Sequence, residues 1–159
     1  MSKVRRIVFG ADPRRTSVRI LVLAGITTVM LLWVILPVRA DGDSMLPTYS
    51  SGDFTLVNRL AYFSSRPKRG DIVAIRLAGT SVVYIKRIVA LPGERISVSD
   101  GAVHINGTPL AEPYVRHNRS WDLEEVTLNP GQYFVVGDNR ATSDFGRVQD
   151  DRIVGRLMF

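Results

Sequence analysis

The sequence predicts a mainly β protein, an antiparallel β domain preceded by one N-terminal transmembrane helix. Three features of the 159 residues lead there. No residue between Arg19 and Arg39 is charged. After Pro37 the apolar residues come in short runs separated by turn residues, with no helical period longer than two turns. Six cations (Lys3, Arg5, Arg6, Arg14, Arg15, Arg19) against Asp12 place +5 of the +6 formal charge in the first 19 residues. The basic balance therefore belongs to a short leader. The nearly neutral remainder argues against a nucleic-acid partner, which would need cations on the folded part interleaved with aromatics. An apolar content of 45% excludes a disordered tail. The lack of cysteine excludes a disulfide scaffold, a thiol nucleophile and a thiolate zinc site.

Residues 20–38 form the uncharged stretch. At about 1.5 Å per residue, a helix of that length approaches the ~30 Å hydrocarbon core of a bilayer. A buried core helix seldom lacks charge for so long, and a secretory h-region is only about 7–15 residues, so an uncleaved anchor is expected. The positive-inside rule then puts 1–19 in the cytoplasm and the chain beyond about residue 40 outside, with Trp33 as an interfacial anchor. The expected organisation is a cytoplasmic basic leader (1–19), an anchor spanning the cell membrane once (20–38) and an extracytoplasmic β domain (39–159). Alternation and turn signals predict strands at 54–58, 71–76, 82–90, 95–99, 102–105 and 132–136, and a closing strand at 153–158. Ser99-Asp100-Gly101 and Asn106-Gly107 read as hairpin turns. The polar stretch 108–130 reads as a small insertion or extended loop.

Three segments hold candidate chemistry. In Asp41-Gly42-Asp43-Ser44-Met45-Leu46-Pro47-Thr48 a glycine and a proline constrain the chain around Ser44, so that its hydroxyl and backbone N–H can be aimed together. Alone, this reads more readily as an ordinary turn serine, since serines in turns are common. Neither histidine, His104 or His117, has the surroundings of a triad base. In the run Val82 to Ala90, strand alternation puts Tyr84, Lys86 and Ile88 on one face and Val83, Ile85, Arg87 and Val89 on the other. A lysine among apolar neighbours has its pKa lowered by desolvation, and the neutral amine can take a proton from a serine hydroxyl. The same spacing also suits a lysine guarding a sheet edge. Arg87 stays charged and must find a carboxylate. The third segment, Gly137-Asp138-Asn139-Arg140-Ala141-Thr142-Ser143-Asp144, follows an apolar strand with two carboxylates, an arginine and two hydroxyls that could orient Lys86 and pair with Arg87. By itself it reads as a polar turn.

Together these segments resemble the bacterial type I signal peptidase (leader peptidase) family, membrane-anchored serine-lysine proteases that remove signal peptides from exported proteins. Ser44-Met45-Leu46-Pro47-Thr48 is similar to the family's nucleophile motif and Arg69-Gly70-Asp71-Ile72-Val73 to its next strand. Tyr84 to Glu94 resembles its base-bearing strand, and Gly137-Asp138-Asn139-Arg140 its last motif. The resemblance implies Ser44 as nucleophile and Lys86 as general base and later acid, with no metal or cofactor. It implies the Ser44 N–H in an oxyanion hole, Gly42 standing where some members have a serine, and Ser143 holding Lys86. Met45, Tyr84 and Ile85 would line shallow apolar substrate pockets, and Arg87, Asp138, Asn139 and Arg140 would support the site. Implied partners are exported preproteins with signal peptides and the lipid bilayer, with the secretion translocon as a further candidate. Ser143-Asp144-Phe145-Gly146-Arg147 is a few residues shorter than the family's usual Ser followed by Asp-Ser-Arg, so Asp144 and Arg147 are not assigned roles. The rival readings are a non-catalytic membrane-tethered β domain that binds exported chains, and a self-cleaving SOS-repressor-type Ser-Lys protein. The latter carries a DNA-binding domain where this chain has residues 1–40.

Overall fold

The computed structural model describes residues 13–76 and 83–158. Val82, the first residue of a predicted strand, and residues 1–12 of the predicted leader lie outside them. The chain divides into two compact units, the first ending at Ile35 and the second beginning at Leu36.

The first unit contains helix α1, Pro13–Val34. Pro37, three residues past its end, disfavours continuation of the helix. The helix thus starts before the uncharged stretch, taking in Arg14, Arg15 and Arg19, and stops short of residue 38. Its 22 residues extend about 33 Å. Its apolar side chains, from Val18 through Leu21 and Leu32 to Trp33, are exposed. Among the described residues this is the one helix long and apolar enough to cross a membrane, which is consistent with a membrane-anchored protein.

The second unit is built of antiparallel strands, as the alternation predicts. In chain order they are β1 (Ile35–Arg39), β2 (Phe54–Asn58), β3 (Ile72–Arg76), β4 (Val83–Ala90), β5 (Arg95–Ser99), β6 (Ala102–Ile105), β7 (Thr108–Pro109), β8 (Leu123–Thr127), β9 (Gln132–Val136), β10 (Phe145–Gln149) and β11 (Ile153–Leu157). One sheet has the order β1-β2-β11-β3-β4-β9-β10 and the other β7-β6-β5-β8. Both expected turns fall where glycine follows a residue of positive φ, Asp100 before Gly101 and Asn106 before Gly107.

Four strands were not predicted. The stretch expected to be a loop, 108–130, supplies β7 and β8, which flank the small sheet on either side of β6 and β5. β1 and β10 lie at the edges of the large sheet, where only one face and one neighbour select for apolar residues. Alternation in β3 sends Ala74 into a core with Met45, Tyr49, Val57 and Leu157, and Val73 and Ile75 into a second with Ile88, Tyr133 and Val135. A third core, around Ile96, Val98, Val103 and Leu128, joins the small sheet to Val89, Phe134 and Val136.

Candidate active site

β4 positions Lys86 between two different neighbours. On one side it faces Val73 of β3. On the other, Arg87 pairs with Val136, the last residue of β9, so the strand partner of Lys86 would be Gly137, where the ladder has ended. The amine therefore meets the 137–144 loop. Lys86 is 8% exposed, and its Nζ donates to the Ser143 hydroxyl at 3.1 Å. Burial pushes its pKa below the ordinary lysine value, and the charge of Asp144 offsets this in part.

The hydroxyl of Ser143 is fully engaged. It accepts from Lys86 and from the Gly137 N–H at 2.7 Å, and it donates to the Asp144 carbonyl at 2.8 Å. Because its one proton is committed to a carbonyl, Ser143 can only accept from the amine. A neutral Lys86 then spends an N–H on Ser143 and keeps its lone pair for a proton from elsewhere.

Ser44 lies in the turn that follows β1 and is half-buried. Its loop is fastened by the residues next to Gly137. The Asn139 N–H donates to the Ser44 carbonyl and the Asn139 side-chain amide to the Asp43 carbonyl, both at 3.0 Å. Thr48, at the far end of the loop, donates to Asp138 at 2.5 Å. Gly137 is the meeting point, since a Cβ there would collide with both the Ser44 carbonyl and the Ser143 hydroxyl. Gly42 has φ +80, a left-handed backbone that disfavours a serine at this position in the observed conformation. The Leu46–Pro47 peptide bond is cis.

Arg87 points to the carboxylate that its charge requires. Its Nε and Nη2 donate to the two oxygens of Asp138 at 2.7 and 2.6 Å, its Nη1 donates to the Gly70 carbonyl, and its guanidinium lies 4.1 Å from the centre of the Tyr114 ring. Burial works against the Arg87 charge, but Asp138 outweighs it and the pKa is raised. Arg140, 2% exposed, donates to Glu112 through both Nη atoms and to the Gly137 carbonyl through Nε.

The substrate-pocket candidates separate. Met45 is buried in the core that Ile85 joins, whereas Tyr84 is 44% exposed and belongs to the opposite face of β4. Asp144 and Arg147 are exposed. His117 enters the site only through its backbone carbonyl, which accepts from Arg140 N–H, and His104 lies in the small sheet. A cleft of about 730 Å³ lined by Leu60, Phe63, Pro67 and Tyr133 includes none of the candidate residues. No group of acidic residues and histidines suited to a metal occurs among the described residues. Thr48 was read only as the end of the nucleophile motif, with no role, and Glu112 and Tyr114 escaped the sequence reading. The one signal for the last two was an acid and an aromatic on either side of Pro113 in Glu112-Pro113-Tyr114, within a segment lacking periodicity.

The family model for signal peptidase, peptidase S26, matches residues 14–159. The chain belongs to that family. Signal peptidase I T of Bacillus subtilis (strain 168) is 36% identical over 138 residues, which cover 77% of this chain and 72% of the relative. Probable signal peptidase I-1 of Synechocystis is 32% identical over 158 residues, covering 91% and 81%. Among solved structures, a signal peptidase I from Enterococcus faecalis V583 is 32% identical with a TM-score of 0.50, covering 59% of this chain and 98% of that one. The chain is accordingly a serine endopeptidase of the signal peptidase I type. Its mainly antiparallel β fold agrees with this membership.

Proposed function

We propose that this peptidase cleaves N-terminal signal peptides from exported preproteins with Ser44 as nucleophile and Lys86 as its base. The observation that carries the reading is the environment of Lys86: a buried amine with a lowered pKa, one N–H held by Ser143 and a lone pair left available. Neutral Lys86 takes the Ser44 hydroxyl proton as Oγ attacks the scissile carbonyl. The Ser44 N–H donates to the oxyanion, a role open to it because Asn139 holds the Asp43 and Ser44 carbonyls in place. The Lys86 ammonium then protonates the leaving amine, the C–N bond breaks and an ester to Ser44 remains. Water, deprotonated by Lys86, attacks that ester, and the same proton returns to Ser44 Oγ.

Between Val83 and Lys86, β4 has no described neighbour on the side where β9 ends. This open edge suits an extended substrate that adds main-chain hydrogen bonds beside Lys86. Tyr84, Ile85 and Met45 are the proposed contributors to pockets for small side chains. Helix α1 is proposed as the membrane anchor, with the N-terminus cytoplasmic by the positive-inside rule and the catalytic domain outside, next to the bilayer and the translocon.

The test is cleavage of a preprotein by the full-length chain in detergent. Ser44→Ala, Lys86→Ala and Lys86→Arg should each lose about 10³-fold or more in kcat while remaining folded, because nucleophile and base act as a unit and an arginine keeps its proton. Near-normal turnover by Lys86→Ala would overturn the reading.

A further inference from the structure

The stretch from residue 110 to 122 packs against the site without belonging to any motif of the sequence. We propose that Glu112 and Tyr114 are positioning residues for the proton transfer, acting through Arg140 and Gly137 on the Ser143 hydroxyl that holds Lys86. The inference rests on the Ser44–Lys86 reading.

A continuous series of hydrogen bonds carries it. The Tyr114 hydroxyl donates to Glu112 Oε1 at 2.8 Å. Glu112 receives Arg140 Nη2 on the same oxygen at 2.5 Å and Nη1 on the other at 3.1 Å. Arg140 Nε donates to the Gly137 carbonyl at 3.0 Å, the Gly137 N–H donates to Ser143 Oγ at 2.7 Å, and Lys86 Nζ donates to that same oxygen. Both peptide groups flanking Gly137 are therefore fixed, one by Arg140 and one by Ser143. The Tyr114 ring also lies over the Arg87 guanidinium, which grips Asp138, the residue after Gly137. Farther along the stretch, the His117 carbonyl accepts the Arg140 N–H at 2.8 Å.

The charges make Glu112 more than a packing residue. The Arg140 side chain is 1% exposed and that of Glu112 10%, so their pairing is largely shielded from water. Without the carboxylate, Arg140 keeps a buried charge and must seek another acceptor. The Gly137 carbonyl is its remaining side-chain partner in the series, so the loop shifts where Ser143 meets Lys86. A misplaced Ser143 changes both the direction of the amine's lone pair and the ease with which Lys86 loses its proton. It leaves the open edge of β4 unaltered, so substrate binding should survive.

The experiment uses the full-length chain in detergent with a preprotein, comparing wild type, Glu112→Gln, Glu112→Asp, Tyr114→Phe and Lys86→Ala. Thermal melts establish that each is folded at the assay temperature. Glu112→Gln should lower kcat about 10-fold or more with KM within about twofold, and should displace the acid limb of the kcat/KM profile. Glu112→Asp should restore part of the loss, and Tyr114→Phe should lower kcat about threefold by removing one bond to the carboxylate. Wild-type kcat and an unmoved limb in folded Glu112→Gln would overturn the proposal, as would a loss confined to KM. If Glu112→Gln does not fold, Tyr114→Phe decides: reduced kcat supports the proposal and unchanged kcat overturns it. Lys86→Ala separates the two claims, since activity in that variant sinks the dyad, whereas an inactive Lys86→Ala beside a normal Glu112→Gln sinks the positioning role alone.

Discussion

Replacing Asp138 with Asn should be among the most damaging single changes to the catalytic domain. The Asp138 side chain is fully buried and that of Arg87 is 12% exposed. Asp138 receives two bonds from Arg87 and one from Thr48. An asparagine has nearly the same shape but no charge, and it turns an N–H₂ toward a guanidinium or a hydroxyl that needs an acceptor. Breaking a buried pair by removing one charge costs about 3–5 kcal/mol. For a domain of this size that corresponds to a fall in Tm on the order of 10–20 °C. The assay is a thermal melt followed by Trp121, which stacks on Phe145 with ring centres 4.1 Å apart, in a Trp33→Phe background that removes the other tryptophan. Arg87→Met combined with Asp138→Asn should cost less than the sum of the single changes by about 2 kcal/mol or more, because no buried charge is left without a partner. A single-variant cost below about 1 kcal/mol, or a strictly additive double variant, would refute the assignment of the pair as a buried, mutually dependent unit.

Gly137→Ala should cost about 3 kcal/mol, from the collision of its Cβ with the Ser44 carbonyl and the Ser143 hydroxyl, and a melt indistinguishable from wild type would contradict that geometry. Lys86→Met should be at least as stable as wild type near pH 7. With the folded pKa lowered by burial, the unfolded chain binds more protons between that lowered value and 10.5, so wild-type stability rises with pH across that interval and the variant's advantage shrinks; a variant less stable at pH 7 and equally so at pH 10 would contradict it. Asp144→Asn removes the charge that raises the Lys86 pKa and should move the acid limb of activity to lower pH, an upward shift being the contrary result. In a preprotein series, Ala before the cut should be preferred, and efficient cleavage after Asp or Phe would speak against shallow apolar pockets.

The strands that carry the site were legible because both of their faces are constrained. In β4 and β9 the alternation of apolar residues is set by cores on either side of the sheet, and Lys86 and Arg87 stood out as charges inside that pattern. Arg87 could be assigned a carboxylate in advance, since a buried guanidinium cannot lose its proton. Edge strands gave weaker signals: β10, with Gly146 and Arg147 in its middle, was not predicted as a strand, and its Phe145 stacks on Trp121. The stretch from residue 110 to 122 was illegible because its role is tertiary. Glu112, Tyr114 and Trp121 follow no period of 2 or 3.6, and each answers to a partner more than 20 positions away, in Arg140, Arg87 and Phe145. The anchor was bounded at residue 38 by the next charge, whereas α1 ends at Val34, shortly before Pro37.

The central claim is that Lys86 is the base and is neutral when it acts. The chain has three lysines, Lys3, Lys68 and Lys86, so a sample labelled with ¹³C at the lysine ε-carbon gives three resonances, and Lys3→Arg and Lys68→Arg assign them. Titrating that sample in detergent, alongside kcat/KM for a preprotein over the same pH range, tests the claim most directly. The account predicts that the Lys86 resonance titrates below the ordinary 10.5, with a midpoint that coincides with the acid limb of kcat/KM. A Lys86 resonance that titrates at 10.5, or an acid limb that appears at a pH where Lys86 shows no change, would contradict it.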